Sequence, residues 1–161
     1  MQTIQPEIGI KIVISNWEMQ NTRLNDLLNT ISEEQLARET SPGRNTGIYL
    51  LGHLTAISDG MLPLMGLGDK LYPQLQNIFV DNADKAGLAF PAVAELKAYW
   101  KEVNDILKKH FDAMQPEQWF ERHNAVSEDD FAKEPHRNKL NILINRTNHQ
   151  SYHFGQMMYL K

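Results

Sequence analysis

The sequence predicts an all-α fold, a four-helix bundle with long crossover connections. Apolar side chains recur at alternating spacings of three and four in four separate segments, the period of a helix with one buried face. Almost no stretch carries the two-residue alternation of a half-buried strand. Two connections, near 66–90 and 112–136, are too long for short hairpin turns between antiparallel neighbours, which favours an overhand crossing between helices that run the same way. With 161 residues, 42% of them hydrophobic and 22% charged, the chain is long enough for one domain over 1–161 with its own core.

The first helix is expected from about Ile4 to Asn29, where Ile10, Ile14, Trp17, Asn21, Leu24 and Leu28 form a stripe widened by Val13 and Leu27. The β-branched run Ile10–Ile14 also suits a strand, but the helical spacing continues to Leu28 and decides for helix. Ser32 followed by Glu33, Glu34 and Gln35 has the form of a capping box and marks one short helical turn. The segment Ser41–Asn45 (SPGRN) is a turn hinged at Pro42–Gly43. Asn45 or Thr46 then caps a second helix over roughly Gly47–Met65, with a core face of Ile48 or Leu51, Leu54 or Thr55, Ser58 and Leu62. Gly60 and Pro63 predict a kink or early end near Gly60.

Within the first long connection a short helix is expected around Gln74–Phe79. Pro91 suits the first turn of a third helix, Pro91 to about Phe111, whose stripe is Leu96, Trp100 (or Tyr99), Val103 and Leu107. Glu95, Glu102 and Asp105 read as its solvated face. The second connection carries a turn starting at Pro116 and a polar stretch, Ser127–Asp130. The fourth helix begins after Pro135 and uses Leu140, Leu143, Ile144, Thr147, Phe154, Met157, Met158 and Leu160 as its apolar positions.

Composition narrows the function. Sixteen lysines and arginines against 20 aspartates and glutamates leave a net charge of −4, which argues against nucleic acid as a partner. No cysteine is present, so disulfides, thiolate metal sites and cysteine nucleophiles are excluded. Any metal site must rest on the six histidines, and any thiol chemistry on a molecule from outside. The opening MQTIQPEIGIKIVISNW lacks the basic and continuous apolar regions of a signal peptide. No stretch reaches the about 18 apolar residues of a membrane span. The expected compartment is the cytoplasm, with no membrane partner.

Among the histidines, His149 and His153 stand four apart on a helical segment, one above the other on one face, and can reach one metal. Such a pair also arises by chance on a wet face. His53 lies in LLGHLTA beside Gly52, which permits close approach of a neighbouring element. If His53 faces the fourth helix, three imidazoles converge, and three ligands with an open position make a catalytic zinc or nickel centre rather than a closed structural one. His110 ends the third helix and suits its dipole, while His123 and His136 are expected at the surface. Gln156 is a candidate to orient a ligand or brace the helix. Asp59 is a candidate support behind the site, with surface placement the plainer reading. Asn148 and Tyr152 are expected to point to other faces.

Two segments resemble a known family. NTGIYLLGHLTAISDGMLPLMGLG (45–68), with its Gly-His-Leu, resembles the second-helix signature of the DinB-like metal-binding four-helix proteins. HQSYHFGQMMYLK (149–161) resembles that family's last helix, with His-x3-His followed by Gly-Gln. The resemblance covers essentially the whole chain, and by position it makes His53, His149 and His153 the three metal ligands. It implies a divalent metal, zinc or nickel, and a small-molecule substrate. The chemistry it implies is hydrolysis, or the transfer or isomerisation chemistry of low-molecular-weight thiols. It also permits a homodimer. The tryptophan often found before the second helix is missing from QLARETSPG, which leaves the substrate open. The catalytic nucleophile would be a water or thiol activated by the metal, with no general base identified. The alternatives are a non-catalytic bundle that binds metal or ligand for stability, regulation or stress response, and an interaction protein without metal.

Overall fold

A computed structural model of the chain describes residues 6–161. Eight α-helices occur among these residues: α1 (Pro6–Thr30), α2 (Glu33–Leu36), α3 (Gly47–Asp59), α4 (Met61–Leu64), α5 (Leu75–Phe79), α6 (Val93–Ala113), α7 (Glu128–Lys133) and α8 (Lys139–Met157). Short 3-10 turns cover Pro116–Phe120 and Met158–Leu160. The long helices α1, α3, α6 and α8 form the bundle, with α3 against α6, α1 against α8, and α8 also against α3. The expected start of the first helix at Ile4 lies outside the described residues.

Most of the predicted elements form where their local signals place them. Ser32 and Gln35 make the reciprocal capping box on α2, Ser32 Oγ accepting from Gln35 N and Gln35 Oε1 from Ser32 N. Thr46, rather than Asn45, caps α3 by accepting from Tyr49 N at 3.2 Å. Asp84 holds that cap in place, its Oδ2 accepting from both the backbone N–H and the hydroxyl of Thr46. The long second helix of the sequence reading divides at Gly60 into α3 and α4. Pro91 does not open the third helix. It precedes α6, whose first turn is held instead by Ala92 N donating to Glu95 Oε2.

Helix α7 is the element the periodicity does not reveal, because none of its residues is buried. Its signal is local. Ser127 caps it by accepting from Asp130 N, with acidic residues filling the first turn.

The apolar stripes pack into two clusters. One gathers Leu24, Leu28, Leu50, Leu51, Leu54, Phe79, Leu96 and Met157. The other gathers Trp17, Met61, Leu62, Val103, Leu107, Phe111, Trp119 and Leu143. The last apolar stripe is narrower than expected, since Ile144 on α8 and Met158 in the 3-10 turn that follows it are exposed. Asn21, which interrupts the apolar stripe of α1, accepts from Gln150 of α8 at 2.9 Å and donates to Asn104 of α6 at 3.3 Å. These amides satisfy one another and specify one relative register for three helices, since a slip strands buried polar groups.

Candidate metal centre

The rotation of α8 follows from its stripe. Leu143, Thr147, Gln150 and Met157 are buried, and the Gln150–Asn21 bond faces α1. His149 and His153 therefore share a neighbouring face, toward α3. From α3, His53 meets them, its ring centroid 5.0 Å from that of His149 and 5.2 Å from that of His153. His149 Nε2 lies 3.2 Å from His53 Nε2 and 3.1 Å from His153 Nε2. The three half-buried rings thus present one nitrogen each to a common point.

Gly52 explains how His53 is braced. A Cβ there would lie 2.4 Å from the Phe79 ring, so only glycine leaves room for that ring against α3. With Phe79 seated, its backbone carbonyl stands 2.7 Å from His53 Nδ1. A carbonyl only accepts, so His53 carries its proton on Nδ1 and turns a bare lone pair on Nε2 toward the other rings. His153 repeats the arrangement within its own helix, its Nδ1 donating to Gln156 Oε1 at 2.7 Å. His149 differs, for its Nδ1 is buried without a hydrogen-bond partner.

Two bare Nε2 atoms therefore face the same third nitrogen. A proton on His149 Nε2 satisfies one of them and leaves the other opposed. One cation shared by all three relieves both, and nitrogens about 2.0–2.1 Å from a tetrahedral zinc stand about 3.3 Å apart, close to the spacings found. The donor set fits a borderline divalent ion, neutral imidazoles suiting zinc, nickel or copper. Burial lowers the pKa of His53 and of His153. Burial, then the neighbouring rings and Arg146, lowers that of His149 to about 4. The rings are thus neutral, as metal ligation requires.

The remaining predicted residues are placed as follows. Gln156 holds His153 directly. Asp59 is buried rather than on the surface, and its carboxylate accepts from the backbone N–H groups of Leu71 and Tyr72 at 2.8 and 2.9 Å. It holds the crossing that leads to α5, not a histidine ring. Tyr152 does not point away from the site, because its ring meets His153 edge-on at 5.1 Å and its hydroxyl accepts from Gln156 Nε2 at 3.4 Å. Asn148 is exposed and lines a groove between α1 and α8. His110 is half-buried at the end of α6 and His136 is exposed. His123 is buried, not at the surface as expected. Its Nδ1 accepts from Ala125 N, and burial together with the charges of Arg137 and Arg122 holds its pKa down. None of these three joins the cluster.

Sequence reasoning missed the Phe79 carbonyl, a backbone group with no side-chain signature. Arg146 was legible as a position on the histidine face, through its spacing of three from His149 and seven from His153. Its electrostatic influence on His53, a residue of another helix, was not.

No helix among the described residues is long and apolar enough to cross a membrane. No curated protein matches the chain. The DinB superfamily pattern matches residues 16–157, a span that holds both histidine-bearing helices. With that match over most of its length, and three imidazoles gathered between α3 and α8, the chain belongs to the DinB superfamily of metal-binding four-helix bundles.

Proposed function

We propose that His53, His149 and His153 hold a divalent metal, zinc or nickel, and that the protein is a metal-dependent enzyme acting on a small molecule, as a hydrolase or as a transferase of a low-molecular-weight thiol. The observation that carries this reading is the meeting of three Nε2 atoms at 3.1 and 3.2 Å, two of them on rings whose Nδ1 protons are committed elsewhere. When bound, such an ion supplies Lewis acidity that makes a water or a thiol a better nucleophile near neutral pH.

The chain's own part is positioning. Phe79 O and Gln156 Oε1 fix the tautomer and orientation of two rings, as acceptors behind metal-ligating histidines do. Burial keeps the imidazoles unprotonated, and their half-exposure leaves them within reach of a small molecule. A chain without cysteine takes its thiol from a cosubstrate. The cytoplasm, where small thiols stay reduced, is the compartment that goes with this reading. It also includes a homodimer. Exposed Ile12 and Ile144 line one groove of α1 and α8, with Ile8 exposed one turn away, an apolar strip that a second copy would cover. Sedimentation would detect it.

A second reading is a non-catalytic metal-binding bundle with a structural, regulatory or stress-related role. One observation favours it: among the described residues no aspartate or glutamate joins the three histidines in the cluster, so no carboxylate stands there as a general base.

Metal content decides the first step, measured on protein purified without a histidine tag. The native chain should hold close to one zinc or nickel per molecule, and His53→Ala, His149→Ala and His153→Ala should each lose it. Near-stoichiometric metal in these variants would refute the triad. A hydrolysis and thiol-transfer screen of the loaded protein, with the His149→Ala variant as its blank, then separates enzyme from non-catalytic bundle.

A further inference from the structure

Arg146 stands on the same face of α8 as His149 and His153, one turn before the first of them. Its Nε is buried and has no hydrogen-bond partner. Of the other arginines, Arg38 donates to Leu160 O, Arg122 to Val126 O and Arg137 bonds Glu134, while Arg23 and Arg44 are exposed to solvent. Among the described residues no carboxylate forms an ion pair with Arg146.

Residues three apart on a helix are neighbours, so the half-buried Arg146 side chain lies beside His149, the ring that meets both of the others. A half-buried cation without a counter-charge is costly. A metal ion on the neighbouring rings would raise that cost, and an anion lying between the two positive centres would relieve it.

We infer that Arg146 is an anion-recognition residue, and that its guanidinium takes a carboxylate of the small molecule bound beside the three histidines. The inference rests on the small-molecule reading of that site and adds a substrate class to it. The planar guanidinium fork matches the two oxygens of a carboxylate. A half-buried site strips water from its anion, and a singly charged carboxylate gives up less hydration there than a phosphate monoester, which carries about −1.5 to −2 at neutral pH. The substrate or cosubstrate is therefore a monocarboxylate at this end, and a carboxylate-bearing thiol satisfies both halves of the site.

The test compares 3-mercaptopropionate with its uncharged methyl ester by calorimetry on zinc-loaded protein, for the native chain, Arg146→Lys and Arg146→Gln. A second arm titrates metal-free native protein with propionate and propionamide and follows the Arg146 Nε–H resonance. The acid should bind the native protein about tenfold or more tighter than the ester. That preference should weaken in Arg146→Lys and vanish in Arg146→Gln, with zinc content still at the native level. Propionate, and not propionamide, should shift the Nε–H signal. Equal binding of acid and ester, the same preference in Arg146→Gln, or an Nε–H signal indifferent to propionate would overturn the assignment. If the native chain takes up no zinc, the metal reading fails by itself, and the propionate arm still decides the role of Arg146. The same arm decides it if the variants do not fold.

Discussion

The two apolar clusters of the bundle are built from similar side chains and closed by loops of similar length, yet only one of them supports the candidate site. The crossing after α4 brings Phe79 onto Gly52, and the carbonyl of Phe79 meets a ring nitrogen of His53. The crossing after α6 buries Trp119 against Phe111, and its Asn124 bonds the backbone carbonyls of Pro63 and Leu64. The first loop closes the core and orients a ligand candidate, whereas the second closes the core alone. A loop acquires a role at a site when one of its backbone groups is held against a titratable side chain. Here the absence of a Cβ at residue 52 makes that contact possible.

Removing the main apolar contribution of the second crossing tests this division most strongly. Trp119→Ala should lower unfolding stability by about 3–5 kcal/mol, read from urea denaturation. The molecules that remain folded should bind metal as the native protein does. A loss of metal affinity in that folded fraction would erase the distinction between the two crossings. Gly52→Ala should cost less stability, about 1–3 kcal/mol, because the Phe79 ring must shift to admit the methyl group. Unlike the tryptophan variant, it should also weaken metal binding, since the carbonyl brace on His53 moves with the ring. Competition with a chelator would reveal the difference.

Gln156→Ala tests the brace within α8. It removes the acceptor of His153 Nδ1 and should weaken metal binding by about tenfold, the low end of the 10–100-fold seen for such groups. Fold stability should change little, and a variant that binds metal as tightly as the native chain would leave Gln156 with a helix-bracing role only.

The smallest effect concerns pH in the metal-free protein. Burial holds the three histidines below their ordinary pKa of 6.5, His149 at about 4. As pH falls below 6.5 the unfolded chain takes up these protons before the folded one does. Stability should therefore be full above 6.5, decline as pH falls toward about 4, and level off below that. Urea midpoints across this range should show the slope, and replacing all three histidines with glutamine should flatten it. An unchanged slope would place the acid sensitivity elsewhere, His123 being the next buried ring to examine.

Much of the fold was legible because its signals are local. Leu96, Trp100, Val103 and Leu107 declare a buried face within one helix, and all four are buried. Ser32 and Gln35 declare a helix start within four residues. The site was legible in part for the same reason: the spacing of His149 and His153 holds wherever α8 packs. Asp59 shows where such reasoning stops. Its carboxylate serves the N–H groups of Leu71 and Tyr72, and nothing within one helical turn of it indicates a loop that returns twelve residues later. Arg146 shows the same boundary, since spacing puts it on the histidine face but does not say whether a carboxylate from another element reaches it.

The four amphipathic helices, the glycine beside His53, the stacked pair on the last helix and the exclusion of cysteine ligands and nucleophiles are all written in the order of the residues. Packing of the helices adds that His53 completes the cluster, that the carbonyl at the end of α5 sets its tautomer and that Arg146 stands one turn from His149 without an ion pair among the described residues. The physical reason is distance along the chain. Helical periodicity is written into neighbours three and four residues apart, whereas the His53–His149 contact joins residues 96 apart and exists only once α3 and α8 have packed.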